Sequence, residues 1–110
     1  MVLIIGGSYQ GKTSYARENY PRYKYFNQLH LFVKKRLEEG KGEGDILSEI
    51  SDAIKNDDWV VISDEIGNGV VPLEAEDRLW REVTGNILIE LAKQAIEVHR
   101  VVCGMGQRIK

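Results

Sequence analysis

This 110-residue sequence predicts an α/β fold with a small, mainly parallel sheet of about four strands. Three observations carry that reading. Short apolar runs of strand length alternate with longer segments of helical periodicity. The strand candidates are almost wholly apolar, as strands covered on both faces are. A Gly-rich turn joins the first such run to a helix. The length fits one domain with a modest core, so residues 1–110 read as a single unit. Hydrophobic residues make up 43% and charged residues 29%, which separates the chain from disordered sequences.

The elements follow in order. Val2–Ile5 is a continuous apolar run and predicts the first strand. A helix is predicted from Lys12 to Asn19, since Pro21 cannot continue it. Tyr23–Phe26 predicts a short second strand. In the helix predicted over Leu29–Glu39, Leu29, Phe32, Val33 and Leu37 share one face. Gly40–Gly44 alternates three glycines with two opposite charges and reads as a linker inside the domain. Asp45 reads as the N-cap of a helix to Asn56, with Ile46, Leu47, Ile50, Ala53 and Ile54 on its apolar side. Trp59–Ile62, rich in β-branched residues, predicts the third strand, and Ser63-Asp64-Glu65 stands at its end. Ile66–Pro72 reads as a glycine-punctuated loop. A long helix is predicted over Glu74–Glu97, with an apolar stripe from Leu79 and Trp80 to Ala95 and Ile96. Gly85 interrupts it, which calls for close packing or a bend. Arg100–Cys103 predicts the last strand, ended by Gly104-Met105-Gly106.

The turn after the first strand carries the chemistry. Gly6-Gly7-Ser8-Tyr9-Gln10-Gly11-Lys12-Thr13 satisfies G-x-x-x-x-G-K-[ST], the Walker A phosphate-binding loop. Glycines at its two ends allow a tight turn and close approach to a phosphate. Successive N–H groups then form an anion nest, and the following helix adds its positive N-terminal end. Residues Gly6 to Thr13, with Ser14, are the expected nucleotide contacts, and the fold is P-loop NTPase-like with three layers. Lys12 can reach the β- and γ-phosphates, and the Thr13 hydroxyl can ligate Mg²⁺. Magnesium on such a site commonly draws a carboxylate from a second apolar strand. Asp64 is the candidate for the metal. Glu65 is the candidate to orient or deprotonate an acceptor hydroxyl, and Lys12 to steady the transferring phosphoryl. Arg78 and Arg81 are further cations within reach of such a site, or solvated helix residues.

Composition removes other classes. The net charge is −2 and no Lys/Arg stripe marks a nucleic-acid partner. Lys34-Lys35-Arg36 is followed by Glu38-Glu39, which reads as a solvated helix face. Cys103 is the only cysteine, so an internal disulfide is impossible and a reducing compartment fits. With no apolar run of membrane-spanning length and no leader pattern, the cytoplasm is expected. His30, between two leucines near a helix start, reads as a partly buried structural residue rather than a nucleophile. Trp59 and Trp80 read as core residues, and Tyr9 and Gln10 as exposed loop positions.

Several of these segments together resemble a known family. The loop Gly6–Thr13, the segment Asp64–Pro72, the run Arg78-Leu79-Trp80-Arg81-Glu82 with Gly85, and the pair Ile109-Lys110 are similar to the bifunctional adenosylcobinamide kinase/adenosylcobinamide-phosphate guanylyltransferase family of cobalamin biosynthesis. The resemblance covers about the first 20 residues and the last 50. It implies a P-loop α/β fold, ATP or GTP with Mg²⁺ as cofactors, and phosphorylation of the aminopropanol hydroxyl of adenosylcobinamide. Members form oligomers, so a homo-oligomer is a possible state. A second family activity passes GMP through a guanylylated histidine in a segment like R-I-x-x-H-x-x-x-R. His30 does not stand in that setting, and His99, read as the end of the long helix, matches it less well. Asp64 stands where the family has Asn, and a further carboxylate-bearing strand is missing from a shortened middle. The resemblance therefore carries over the kinase and not the transferase. Two alternatives remain at this stage: a nucleotide-binding module or partner subunit without a substrate site, and an NTPase whose acceptor is water. No N-K-x-D signature appears, so the base is not chosen.

Overall fold

The computed structural model describes residues 1–66 and 74–110. The glycine-punctuated segment read over 67–72 lies outside the described residues. Among the described residues nine elements follow in order: β1 (Val2–Gly6), α1 (Lys12–Asn19), β2 (Lys24–Phe26), α2 (Leu29–Glu38), α3 (Glu43–Ala53), β3 (Trp59–Asp64), α4 (Ala75–Gln94), β4 (Glu97–Val102) and β5 (Met105–Arg108). The strands form one sheet in the order β2-β3-β1-β4-β5. The first four are parallel, and β5 runs antiparallel to β4. The α/β prediction holds, with five strands among the described residues in place of about four.

The period-2 alternation of the strands sorts the core into two halves. Leu3 and Val61 on one face meet Leu29 and Val33 of α2, Ile46 and Ile50 of α3, and Val83, Ile87 and Leu91 of α4. Val2, Ile4, Val60, Ile62 and Val101 on the other face meet Ala16 of α1, with Tyr15, Tyr20, Tyr23 and Tyr25 at the margin. Three layers result, and the central strands are apolar throughout because both faces are covered. No helix among the described residues is long and apolar enough to cross a membrane.

Three sequence expectations are corrected. The long helix stops at Gln94 instead of Glu97, because Ala95 turns extended (φ −68°, ψ 144°) and Ile96 N–H donates to the Met1 carbonyl. Pairing beside β1 thus overrides the helical pattern, and His99 belongs to β4, not to the helix end. The chain does not end its sheet at Gly104. Cys103 and Gly104 both take positive φ (50° and 76°), a two-residue turn that sends the chain back as β5. Asp45 is no N-cap, since α3 begins at Glu43 and places Glu43 and Asp45 in its first turn beside the positive helix end. Among the described residues a Cβ at Gly85 would meet nothing within 4 Å, so close packing against them does not explain that glycine.

The terminal pair has a structural place. Lys110 Nζ donates to the carbonyls of Ala92 (3.0 Å) and Lys93 (3.1 Å), putting a cation on the last turn of α4. Ile109 N–H donates to the Val98 carbonyl at 2.7 Å.

A candidate nucleotide-binding site at the carboxyl edge of the sheet

Parallel strands bring their carboxyl ends to one edge, where α/β folds place ligands. β1 and β3 pair in a register that sets Gly6 beside Asp64. Glu65 N–H donates to the Gly6 carbonyl at 2.9 Å, so the start of the loop and the end of β3 are tied together. The loop then turns through left-handed residues at Tyr9 (φ 57°) and Gly11 (φ 83°) before α1 begins. Tyr9 is a non-glycine residue in that region and its side chain is fully exposed. Holding it there costs of order 1 kcal/mol, a strain that clusters at ligand-binding loops.

The loop is also fastened on its far side. The Gln10 carbonyl accepts from Gly104 N–H at 2.7 Å, and its side-chain Oε1 accepts from Cys103 N–H at 2.6 Å. The β4–β5 turn is thus a strut for the loop, and Gln10 is neither free nor simply solvated. Gln10→Ala removes the side-chain half of this tie, a net loss of about 1 kcal/mol, or roughly fivefold in nucleotide affinity. Titration with a fluorescent ATP or GTP analogue measures it; an unchanged affinity means that the backbone bond alone fixes the loop.

Lys12 lies at the centre. It is only 8% exposed, and its Nζ meets the Gly7 carbonyl at 2.6 Å and Asp64 Oδ1 at 2.7 Å. Ser8 Oγ donates to Asp64 Oδ2 at 2.7 Å, and His30 Nε2 lies 3.3 Å from the same oxygen. Asn27, just after β2, donates weakly to Thr13 Oγ1 at 3.5 Å. A cleft of about 400 Å³ opens over this cluster, lined by residues 8–14 of the loop and helix start, by Asn27, Gln28 and His30, and by Asp64. Lys12, Thr13, Ser14 and Asp64 are therefore brought together. Glu65 is not among the residues lining this cleft. It borders a neighbouring cavity with Gly7, Ser8, Gln10, Arg100 and Val102, and its Oε2 is 3.4 Å from the Arg100 guanidinium. Arg78 and Arg81, on α4, are also absent from the cleft lining.

The electrostatics follow from these neighbours. Burial would raise the Asp64 carboxyl, but the bonds from Lys12 and Ser8 outweigh it and hold Asp64 below the usual carboxylate range. Burial lowers His30, and Lys12 adds to that effect while Asp64 opposes it. Both shifts bear on stability with the same sign. As pH falls through the ordinary histidine value of 6.5, the unfolded chain takes up a proton before His30 does. As it falls through the ordinary carboxylate value of 3.8, the unfolded chain again protonates before Asp64. Stability is expected to be fully present above both values, to decline first below the histidine value and again below the carboxylate value. Urea midpoints measured from pH 8 to pH 3 test this, and a midpoint that rises on acidification from pH 7 to 5 contradicts it.

Magnesium fits the donor set in one way. Among the described residues no group of three or more His, Cys, Asp or Glu side chains could hold a metal ion by themselves. One carboxylate and one hydroxyl bordering a cleft suit an ion that takes its other ligands from phosphates and water.

His30 is where sequence reasoning saw least. Its side chain is 9% exposed and sits against Asp64, as part of the site. Its position two residues into α2, directly after the strand β2, was the available signal. Trp80 is partly buried against the core, as expected, and its Nε1–H donates to the His30 carbonyl at 2.7 Å.

A mainly parallel, three-layer α/β fold of the P-loop NTPase-like type is thus what these elements define. The chain belongs to the cobinamide kinase/cobinamide phosphate guanyltransferase family, whose model matches residues 22–109. That match begins after the Gly6–Thr13 loop. The chain is also similar to the bifunctional adenosylcobalamin biosynthesis protein CobU of Escherichia coli (strain K12), at 39% identity over 51 residues. The aligned stretch is 46% of this chain and 28% of that relative.

Proposed function

We propose that the chain binds a purine nucleoside triphosphate, ATP or GTP, with Mg²⁺ in the Lys12–Asp64 cleft, and transfers the γ-phosphoryl group to a hydroxyl of a small molecule. Family membership makes adenosylcobinamide the acceptor of choice. The observation that carries the reading is the Lys12–Asp64 pair at 2.7 Å under a loop of Walker A spacing. Asp64 is the anion that meets the buried Lys12. A triphosphate takes that place and leaves Asp64 to the metal.

Residues 1–110 act as one domain in this reading. The loop N–H groups and Lys12 hold the phosphates and the charge that develops on them. Thr13 and Asp64 would hold Mg²⁺, which would supply charge to neutralise the phosphates. Ser8 and Gln10 border both cavities, so an acceptor lying along Glu65 and Arg100 adjoins the phosphate site. The acceptor oxygen bonds to the γ-phosphorus as the bridging P–O bond breaks. The nucleoside diphosphate leaves and Glu65 takes the hydroxyl proton. Catalysis is mainly positioning and charge stabilisation.

Incubation with γ-labelled ATP or GTP, Mg²⁺ and adenosylcobinamide tests the reading. Labelled adenosylcobinamide phosphate is the expected product. Nucleotide binding without product points to a binding module. Phosphate release that needs no acceptor points to an NTPase.

A further inference from the structure

We propose that His30 is a positioning residue that holds Asp64 in place for the metal. The inference rests on the nucleotide–Mg²⁺ reading of the cleft. Asp64 N–H donates to His30 Nδ1 at 3.1 Å. An amide nitrogen can only donate here, so Nδ1 is the acceptor and the ring proton sits on Nε2. That nitrogen faces Asp64 Oδ2 at 3.3 Å. The imidazole thus bonds the backbone of Asp64 and lies in close polar contact with its carboxylate.

The grip is anchored away from the loop. Asn27 Oδ1 accepts from Gln28 N–H at 2.9 Å, and Gln28 takes φ 55°, which turns the chain into α2 directly after β2. His30 falls in the first turn of α2 and is buried there. Its carbonyl is bonded by Trp80 Nε1, and its ring centroid is 6.5 Å from the Trp80 ring, so α4 braces it from behind.

The consequence appears when a nucleotide binds. Lys12 leaves Asp64 for the phosphates, and Asp64 keeps Ser8 and His30. Ser8 is on the phosphate-binding loop itself, whereas His30 is on a helix packed into the core. His30 is therefore the partner that keeps the carboxylate aimed. In this arrangement Nδ1 accepts from the Asp64 amide and Nε2 carries the ring proton.

The test compares the affinity of the full chain for a fluorescent ATP analogue in Mg²⁺ and in EDTA. Supporting residues behind a metal ligand typically contribute ten- to a hundredfold, so His30→Ala is expected to cut the Mg²⁺-dependent gain by about tenfold. Affinity in EDTA should not fall below the wild-type value, and a wild-type circular dichroism spectrum reports that the variant is folded. His30→Asn returns an acceptor near the place of Nδ1 and should recover most of the gain. A wild-type gain that survives in His30→Ala overturns this inference alone. Equal losses with and without Mg²⁺, not recovered by His30→Asn, also overturn it, since they mark a merely structural role. A wild-type chain that gains nothing from Mg²⁺ overturns the nucleotide reading and this inference with it.

Discussion

Lys12→Ala is expected to weaken nucleotide binding by about 3 kcal/mol, roughly a hundredfold, since truncating one partner of a buried, hydrogen-bonded charge pair typically costs 2–5 kcal/mol. Two effects add. The proposed triphosphate would lose the buried Lys12 charge, and the loop loses the bond from Nζ to the Gly7 carbonyl that ties it to its own helix. Asp64→Asn separates these effects. Asp64 Oδ1 meets Lys12 Nζ at 2.7 Å, and in the proposed function a phosphate would contend for the same cation. Removing the Asp64 charge should strengthen binding of the metal-free nucleotide and abolish the gain from Mg²⁺. The two variants thus move metal-free affinity in opposite directions. Calorimetric titration with ATP and GTP in EDTA reads this directly. A parallel loss in both variants would mean that the pair only stabilises the fold.

The second large effect is expected at Gly6. A Cβ there would stand 2.5 Å from the Val101 carbonyl oxygen and 3.4 Å from Lys12 Cδ. The first neighbour is backbone of β4, held in a parallel ladder with β1, and cannot step aside without breaking it. Gly6→Ala should therefore cost at least about 3 kcal/mol, the upper part of the range for overpacked sites. In a domain of this size that lowers the unfolding temperature by roughly 10 °C or more. It should also shift the loop, since Gly6 is the residue through which the loop meets Glu65 and Asp64. Gly7→Ala is the control, because its Cβ would meet only Gln10 Cγ, at 3.7 Å. Thermal unfolding followed by circular dichroism should separate the two by several degrees, and equal midpoints would contradict the steric account.

How much of this was legible in the sequence depends on which interactions decide each element. β1, β3 and the helices that cover them carry their own signals, because strands buried on both faces must be apolar and amphipathic helices must show a stripe. The loop was legible because phosphate binding demands particular residues at particular spacings. β5 was not, since Met105–Arg108 is exposed throughout and is held by pairing with β4, not by an apolar pattern of its own. The Cys103-Gly104 turn was the one local hint. The end of α4 was misplaced for a related reason: Ala95 and Ile96 continue the helical stripe, and only contact with β1 draws them into extended structure. At the site, Asp64 was legible as a carboxylate after an apolar strand. The roles of His30 and Gln10 were not, because each depends on a partner 34 or 93 residues away in the chain.

The central claim is that the loop at the carboxyl edge of β1 is a nucleotide site completed by Asp64. Backbone-amide NMR of the full chain, titrated with non-hydrolysable ATP and GTP analogues in Mg²⁺, addresses it most directly. The account predicts that the amides of residues 7–14 and those of Asn27 and Asp64 move together and saturably, and that Lys12→Ala removes the response. Shifts confined to another surface, such as the groove of about 300 Å³ between α2 and α4 lined by Lys34, Leu37 and Trp80, would contradict it, as would no shifts at all.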